Sequence, residues 1–224
     1  MGIPRIRRDW AFVLAIGLVL AVVSTQACIR EPDDGSKAED RIVLLLESPP
    51  RNLDPRFSGD SSSMKVAHLI YSGLTTAETE DLEPRLDMAR SVSPACDDAS
   101  DCTHWIVELK TGLKWHDGMP VAPADVVSTY QSLLDRDFGA VSHGEMVRKL
   151  ERVWEDSEGR IHFQLKYPDA LFKLDLAIGI VPRHLAIVDG AHVQMESPVG
   201  SGPYRFVSGY SLTKYLFRRN EFYH

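Results

Sequence analysis

Eight histidines, three cysteines and one serine flanked by glycines are the side chains that could do nucleophilic, acid–base or metal chemistry. The histidines are His68, His104, His116, His143, His162, His184, His192 and His224, and no two share the spacing that sets two ligands on one helix face. Ser201 lies between Gly200 and Gly202, but no candidate base accompanies it in sequence, and no Gly-x-Ser-x-Gly elbow is present. There is no Gly-rich loop with Lys-Ser or Lys-Thr for phosphates, and no His-Glu-x-x-His helix for zinc. His116-Asp117 has the residue types of an acid–base pair, yet Asp117-Gly118 is more simply a turn. The pattern implies neither catalytic residues nor a cofactor nor a metal.

The cysteines divide by position. Cys28 follows an N-terminal segment with Arg5, Arg7 and Arg8, an apolar run from Ala11 to Val23, and Ala27 just ahead of it. That run falls short of the about 20 apolar residues a spanning helix needs, and the layout is that of a secretory signal. A lone Cys there resembles the bacterial lipobox, in which the Cys receives diacylglycerol. Thr25 stands where Leu is usual. The expectation is a lipoprotein-type signal over residues 1–27, a lipidation site at Cys28 and a flexible polar tether over 28–40. Export places Cys96 and Cys102 in an oxidising setting. The acidic stretch between them suits a loop closed by a disulfide, with two free thiols as the alternative. His104 could supply one zinc ligand, but no further Cys or His lies near it in sequence.

The elements that position these residues follow from periodicity. Ile42 to Leu46 reads as a buried strand ending at Pro49-Pro50. Ser62 to Leu74 reads as a helix with Met64, Ala67, Ile70 and Leu74 on one face. Trp105 to Lys110 alternates as a half-buried strand, resuming at Leu113 to Trp115 before the turn at 116–118. Pro123 to Leu134 is the cleanest helix, with Val126, Val127, Tyr130, Leu133 and Leu134 as its buried stripe. Residues 148–166 read as a hairpin, with a helix as the alternative for the first half. A helical stretch begins at Ala170, a short helix opens at Pro182, and strands run over Tyr204–Val207 and Leu212–Arg219.

Composition bounds the class. The chain has 224 residues, is 44% hydrophobic and 25% charged, and carries a formal net charge of −7. This excludes a disordered or low-complexity chain, and the absence of a basic excess argues against a nucleic-acid partner.

Several short motifs then occur in a fixed order. They are Arg51-Asn52-Leu53-Asp54-Pro55, Ile70-Tyr71-Ser72-Gly73-Leu74, and a long one from Trp105 through Trp115-His116-Asp117-Gly118 to Asp125-Val126-Val127 and Tyr130. Tyr167-Pro168-Asp169-Ala170-Leu171-Phe172, Val181-Pro182-Arg183-His184-Leu185, Pro198-Val199-Gly200-Ser201-Gly202-Pro203-Tyr204 and Arg219-Asn220 follow. Together they resemble the extracellular solute-binding proteins of family 5, the peptide, dipeptide and nickel binders of ATP-binding-cassette importers, over Arg41 to His224.

The resemblance implies a mixed α/β lobe of the type II periplasmic-binding kind and binding of a peptide or other small solute. It implies ABC permease subunits as partners, a place outside the cytoplasmic membrane, and no catalysis. The competing classes are a secreted hydrolase and an envelope sensor on a related fold. The resemblance also puts Ser48, Pro49 and Pro50, just before the Leu-Asp-Pro motif, at the ligand cleft. Family members are longer, so the expectation is an incomplete N-terminal lobe over 41–224 without its second lobe. Its closing aromatics (Tyr204, Phe206, Tyr210, Tyr215, Phe217, Phe222 and Tyr223) are expected to be left exposed.

Overall fold

The computed structural model describes residues 44–76, 83–195, 197–211 and 214–223. Two compact units divide the chain, Met1–Leu45 and Leu46–His224, and every helix and strand described belongs to the second. Residues 1–27, expected as a signal, Cys28, and the expected tether over 28–40 lie outside the described residues.

After a 3-10 turn at Pro55–Phe57 come α1 (Ser61–Ile70), the short ladder β1 (Thr75–Thr76) and β2 (Arg85–Leu86), then β3 (Ala89–Pro94) and β4 (His104–Leu109). Helices α2 (Pro123–Leu134) and α3 (His143–Lys149) lead into β5 (Leu150–Glu155) and β6 (Ile161–Leu165). Short helices α4 (Phe172–Asp175) and α5 (Arg183–Ala186), a ladder of β7 (Ile187–Val188) with β8 (Ala191–His192), and a closing hairpin of β9 (Tyr204–Ser211) and β10 (Lys214–Arg219) complete it.

The central sheet runs β3-β4-β6-β5, antiparallel throughout. Its inner face carries Trp105, Val107, Val153, Ile161, Phe163 and Leu165, all buried against Val126, Tyr130 and Leu133 of α2. Tyr130 meets Phe163 edge-on at 4.9 Å, and its hydroxyl donates to the Asp175 carbonyl at 3.2 Å. The side-chain alternation of β4 and the i, i+4, i+7 stripe of α2 thus meet face to face, as their periodicities require. No side chain caps α2 at Ala122. Instead Asp125 Oδ2 accepts from the Ala122 N–H (2.8 Å) and Oδ1 from the Arg183 N–H (2.8 Å), joining α2 to α5.

A second cluster forms on α1, where Val66, Ala67 and Ile70 pack with Val181, Ala186 and Met195. Phe206 and Phe217 of the closing hairpin lie against it, their rings 5.8 Å apart and edge-on. Phe222 and Tyr223 are more than a third exposed, and the side chain of Tyr210 lies outside the described residues.

The structure corrects the sequence reading in four places. Residues 44–46 form no strand, and Leu44 and Leu45 are 50% and 91% exposed, while 42 and 43 lie outside the described residues. An apolar run becomes a buried strand only beside a ladder and under a facing layer, and no described strand pairs with 44–46.

Helix α1 stops at Ile70, not Leu74. Its last carbonyl accepts from the Gly202 N–H (2.8 Å), and residues 72–75 bond to 176–180 instead, through Ile180 N–H to Ser72 O and Leu74 N–H to Leu176 O (both 2.9 Å). The buried face of α1 also differs from the expected one: it carries Ser63, Val66, Ala67 and Ile70, and Met64 is 45% exposed. Leu113 to Trp115 is not a strand but one bridge, Lys114 to Pro120. Finally, helix and strand share the 143–155 segment: α3 ends where β5 begins, at Leu150, so both readings of the ambiguous stretch hold in part.

Candidate functional site

The motif segments converge in space. Asp54 accepts from the Arg56 guanidinium twice, Nε to Oδ1 at 3.0 Å and an Nη to Oδ2 at 2.7 Å, with both side chains fully buried. Arg56 also donates to the Val193 carbonyl (2.7 Å) and lies 4.6 Å over the Phe138 ring, while Oδ2 of Asp54 accepts from the Met195 N–H (3.2 Å). A bidentate pair buried this deeply needs partners for its remaining donors, and here they are the Val193 carbonyl and, at 3.4 Å, the Ser132 hydroxyl. It fastens the 193–195 segment to the start of the unit.

Residues 48–52 lie along the first turn of α1. Ser63 Oγ accepts from the Arg51 (2.9 Å) and Asn52 (3.2 Å) N–H groups and donates to Asp60 Oδ2 (2.7 Å), and Asp60 Oδ1 caps the helix by accepting from the Ser63 N–H (2.9 Å). Ser48 Oγ is 3.3 Å from Ser62 Oγ. Ser48 and Pro49 are exposed and Pro50 is half-buried. The other end of α1 borders an open groove of about 530 Å³ lined by His68, Tyr71, Ser72, Arg85, Lys110 and Pro203, among others. Eight residues of helix lie between Ser62 and Tyr71, nine steps or about 13 Å at 1.5 Å per residue, so Ser48–Pro50 and this groove are two distinct surfaces.

The 198–203 loop forms one wall of that groove through Pro203. A Cβ on Gly200 would fall 1.9 Å from the Ile70 carbonyl oxygen, and one on Gly202 2.7 Å from the Ile70 carbonyl carbon, so both positions require glycine. Ser201, 2% exposed, sets its hydroxyl 3.5 Å from the Met88 sulfur rather than beside a base. The 116–118 turn forms as expected, with Gly118 at φ +86° and its N–H bonded to the Trp115 carbonyl (2.9 Å). The turn carries more than the sequence showed: His116 binds the glycine loop with both ring nitrogens, and Asp117 Oδ2 pairs with His184 Nε2 at 2.8 Å.

Cys96 and Cys102 are joined in a disulfide at a Cα separation of 5.6 Å. On the outer face of the sheet, strand pairing gathers histidines that are distant in sequence. His162 Nε2 bonds Asp156 Oδ2 (2.9 Å), and its Nδ1 meets His104 Nε2 (3.0 Å). Trp154 stacks on His162 at 5.0 Å, and Arg152 lies over its ring at 4.1 Å. Burial, then His162 and Arg152, hold the His104 imidazole below its ordinary pKa. The His162 hydrogen bond leads several that hold the Asp156 carboxyl well below the carboxylate range. Among the described residues no three His, Cys, Asp or Glu side chains are placed to hold a metal ion.

The described unit is a mixed α/β lobe, and its likeness to solved structures of solute-binding proteins gives it the type II periplasmic-binding fold. Residues 83–224 match the family described as Bacterial extracellular solute-binding proteins, family 5 Middle, and the chain belongs to that family. It is similar to the oligopeptide-binding protein AppA of Bacillus subtilis, 26% identical over 218 residues, covering 89% of this chain and 39% of AppA. It is also similar to Protein XP55 of Streptomyces lividans, 31% identical over 195 residues, covering 85% of this chain and 34% of XP55. The solved structure of B. subtilis AppA in complex with a nonapeptide superposes with a TM-score of 0.69 at 27% identity, covering 79% of this chain and 35% of that one. The chain thus spans a little over a third of the length of these relatives.

Proposed function

We propose that this chain takes part in extracytoplasmic binding of an oligopeptide or dipeptide and its delivery to ABC permease subunits. The observation that carries the reading is its likeness, over 79% of its length, to a solute-binding protein solved with a nonapeptide. No bond is broken in this role, in keeping with Ser201 facing a thioether and with His116 and Asp117 engaged in turn and loop contacts. In this reading residues 1–27 are a lipoprotein-type signal, Cys28 carries the lipid that anchors the protein outside the cytoplasmic membrane, and 28–40 tether the lobe of 41–224. Ser48, Pro49 and Pro50 contribute to the ligand surface. Two prolines offer carbonyls but no N–H donors, which suits acceptance of hydrogen bonds from a peptide main chain.

Uptake of a labelled oligopeptide by the native host tests this. Deleting the gene should abolish uptake, Ser48→Trp should reduce it, and Cys28→Ala should move the protein out of the membrane fraction. Unchanged uptake of di- to nonapeptides on deletion would remove the transport reading.

A further inference from the structure

The His116 imidazole is placed between two backbone groups of opposite polarity. Its Nδ1 lies 3.2 Å from the Gly200 nitrogen and its Nε2 3.1 Å from the Gly202 oxygen. A carbonyl can only accept and an N–H can only donate, so the ring is neutral with its hydrogen on Nε2. The main chain adds a third bond, His116 N–H to the Gly200 carbonyl at 2.8 Å.

Other ties hold the loop without help from a titrating group. Gly202 N–H donates to Ile70 O (2.8 Å), Asn220 Nδ2 donates to Gly202 O (2.9 Å), and Asn220 N–H donates to Pro203 O (2.8 Å). We infer that His116 is an acid-released latch on the 200–203 loop, whose Pro203 lines the groove beside Tyr71 and Ser72.

Protonation puts a hydrogen on Nδ1 facing the Gly200 N–H. Two donors then confront each other, and that bond is lost while the Gly202–Ile70 and Asn220 ties remain. The loop loosens at Gly200 and not at Gly202. Burial is the main influence keeping the ring neutral. Arg205 of β9 opposes the imidazolium, whereas the Gly202 carbonyl and Asp117, itself paired with His184, favour it. The neighbouring groups from α1 and the 220 segment, Ile70 O and Asn220, are uncharged. The latch thus opens below the ordinary imidazole value of about 6.5.

Amide hydrogen exchange of the full chain, corrected for the intrinsic pH dependence, reads it directly. Between about pH 7.5 and pH 5 the protection of the Gly200 amide should fall, approaching about tenfold per pH unit below the titration point, while the Gly202 amide keeps its protection. His116→Gln keeps one acceptor and one donor on the side chain without a titrating group, and there Gly200 protection should not change with pH. Equal protection of Gly200 at both pH values in the unmodified chain overturns the latch, as does the same loss in the Gln variant. If that variant does not fold, the Gly200 and Gly202 amides of the unmodified chain decide.

Discussion

Arg56 and Gly200 each have one neighbour whose removal or crowding can be tested by substitution: Asp54 for the first and Ile70 for the second. Asp54 is the sole carboxylate bonded to the fully buried Arg56 guanidinium among the described residues. Asp54→Ala leaves that cation in the interior with the Val193 carbonyl and a long contact to Ser132. Stranding a buried charge costs about 3–5 kcal/mol, more than the intact pair contributes relative to an apolar substitute. Urea denaturation should show the Asp54→Ala midpoint falling accordingly. Replacing both partners with apolar residues should recover part of the loss, a coupling that a double-mutant cycle would read. Gly200→Ala meets a different obstacle: its Cβ would fall 1.9 Å from a backbone oxygen, which no rotamer change can relieve. Either the loop or the end of α1 must move, so we expect a loss of at least the about 1–3 kcal/mol typical of overpacking. A Gly200→Ala midpoint equal to that of the unsubstituted chain would mean the loop is not pinned against Ile70.

The disulfide belongs to the β3–β4 hairpin, whose strands pair from Ala89–Leu109 to Pro94–Trp105 just beneath it. It closes a short loop, for which chain-entropy reasoning gives about 2 kcal/mol. Cys96→Ser with Cys102→Ser should lower stability by about that amount while Trp105 and Val107 stay packed, and near-ultraviolet circular dichroism should keep its native aromatic signal. Loss of that signal would show that the bond holds the sheet and not only the loop.

Elements whose partner was implicit in their own periodicity were legible from sequence. Trp105 and Val107 on β4, Ile161, Phe163 and Leu165 on β6, and Val126, Tyr130 and Leu133 on α2 each announce a buried face, and the three faces meet. Elements decided by another segment's backbone were not. Nothing within 62–74 shows that Gly202 takes the Ile70 carbonyl and ends α1. Nothing in 42–46 shows which ladder, if any, the apolar run joins. Of the site, the 116–118 turn was readable and the glycine loop was recognisable as a motif, but the bond between them crosses 84 positions, from His116 to Gly200. Arg56 was missed although Asp54 stands two residues before it, because a surface arginine and a buried one look alike in sequence. Asp60, three residues before Ser63, was a readable helix cap that the apolar stripe obscured.

Across the whole molecule the titrating groups divide into two acid ranges. Burial is the first cause holding His104, His116 and His192 below the ordinary imidazole pKa. The unfolded chain therefore takes up protons before the folded one. Stability is full above about pH 6.5 and falls as the pH drops from there towards the folded-state values. A second loss begins below about pH 4, where hydrogen bonds hold Asp60, Asp98 and Asp156 under the carboxylate value, so that protonating them gives up those bonds. Asp175 runs the other way, raised by burial in spite of Lys149 at 2.8 Å, so the folded chain takes up this proton first and gains stability as the pH falls towards about 4, ahead of the second loss. Within the first range His104 and His116 act on different parts, the outer face of the sheet and the glycine loop, and share no hydrogen-bond partner. Their effects should therefore add. Urea midpoints measured from about pH 8 to pH 5 should decline. His104→Gln and His116→Gln should each flatten that decline in part, and the double variant should flatten it by the sum. A midpoint constant over that interval would show that the histidines are solvated in both states. A decline left whole in the double variant would assign it to other groups, with His192, beside Arg56 and Phe138, the next to substitute.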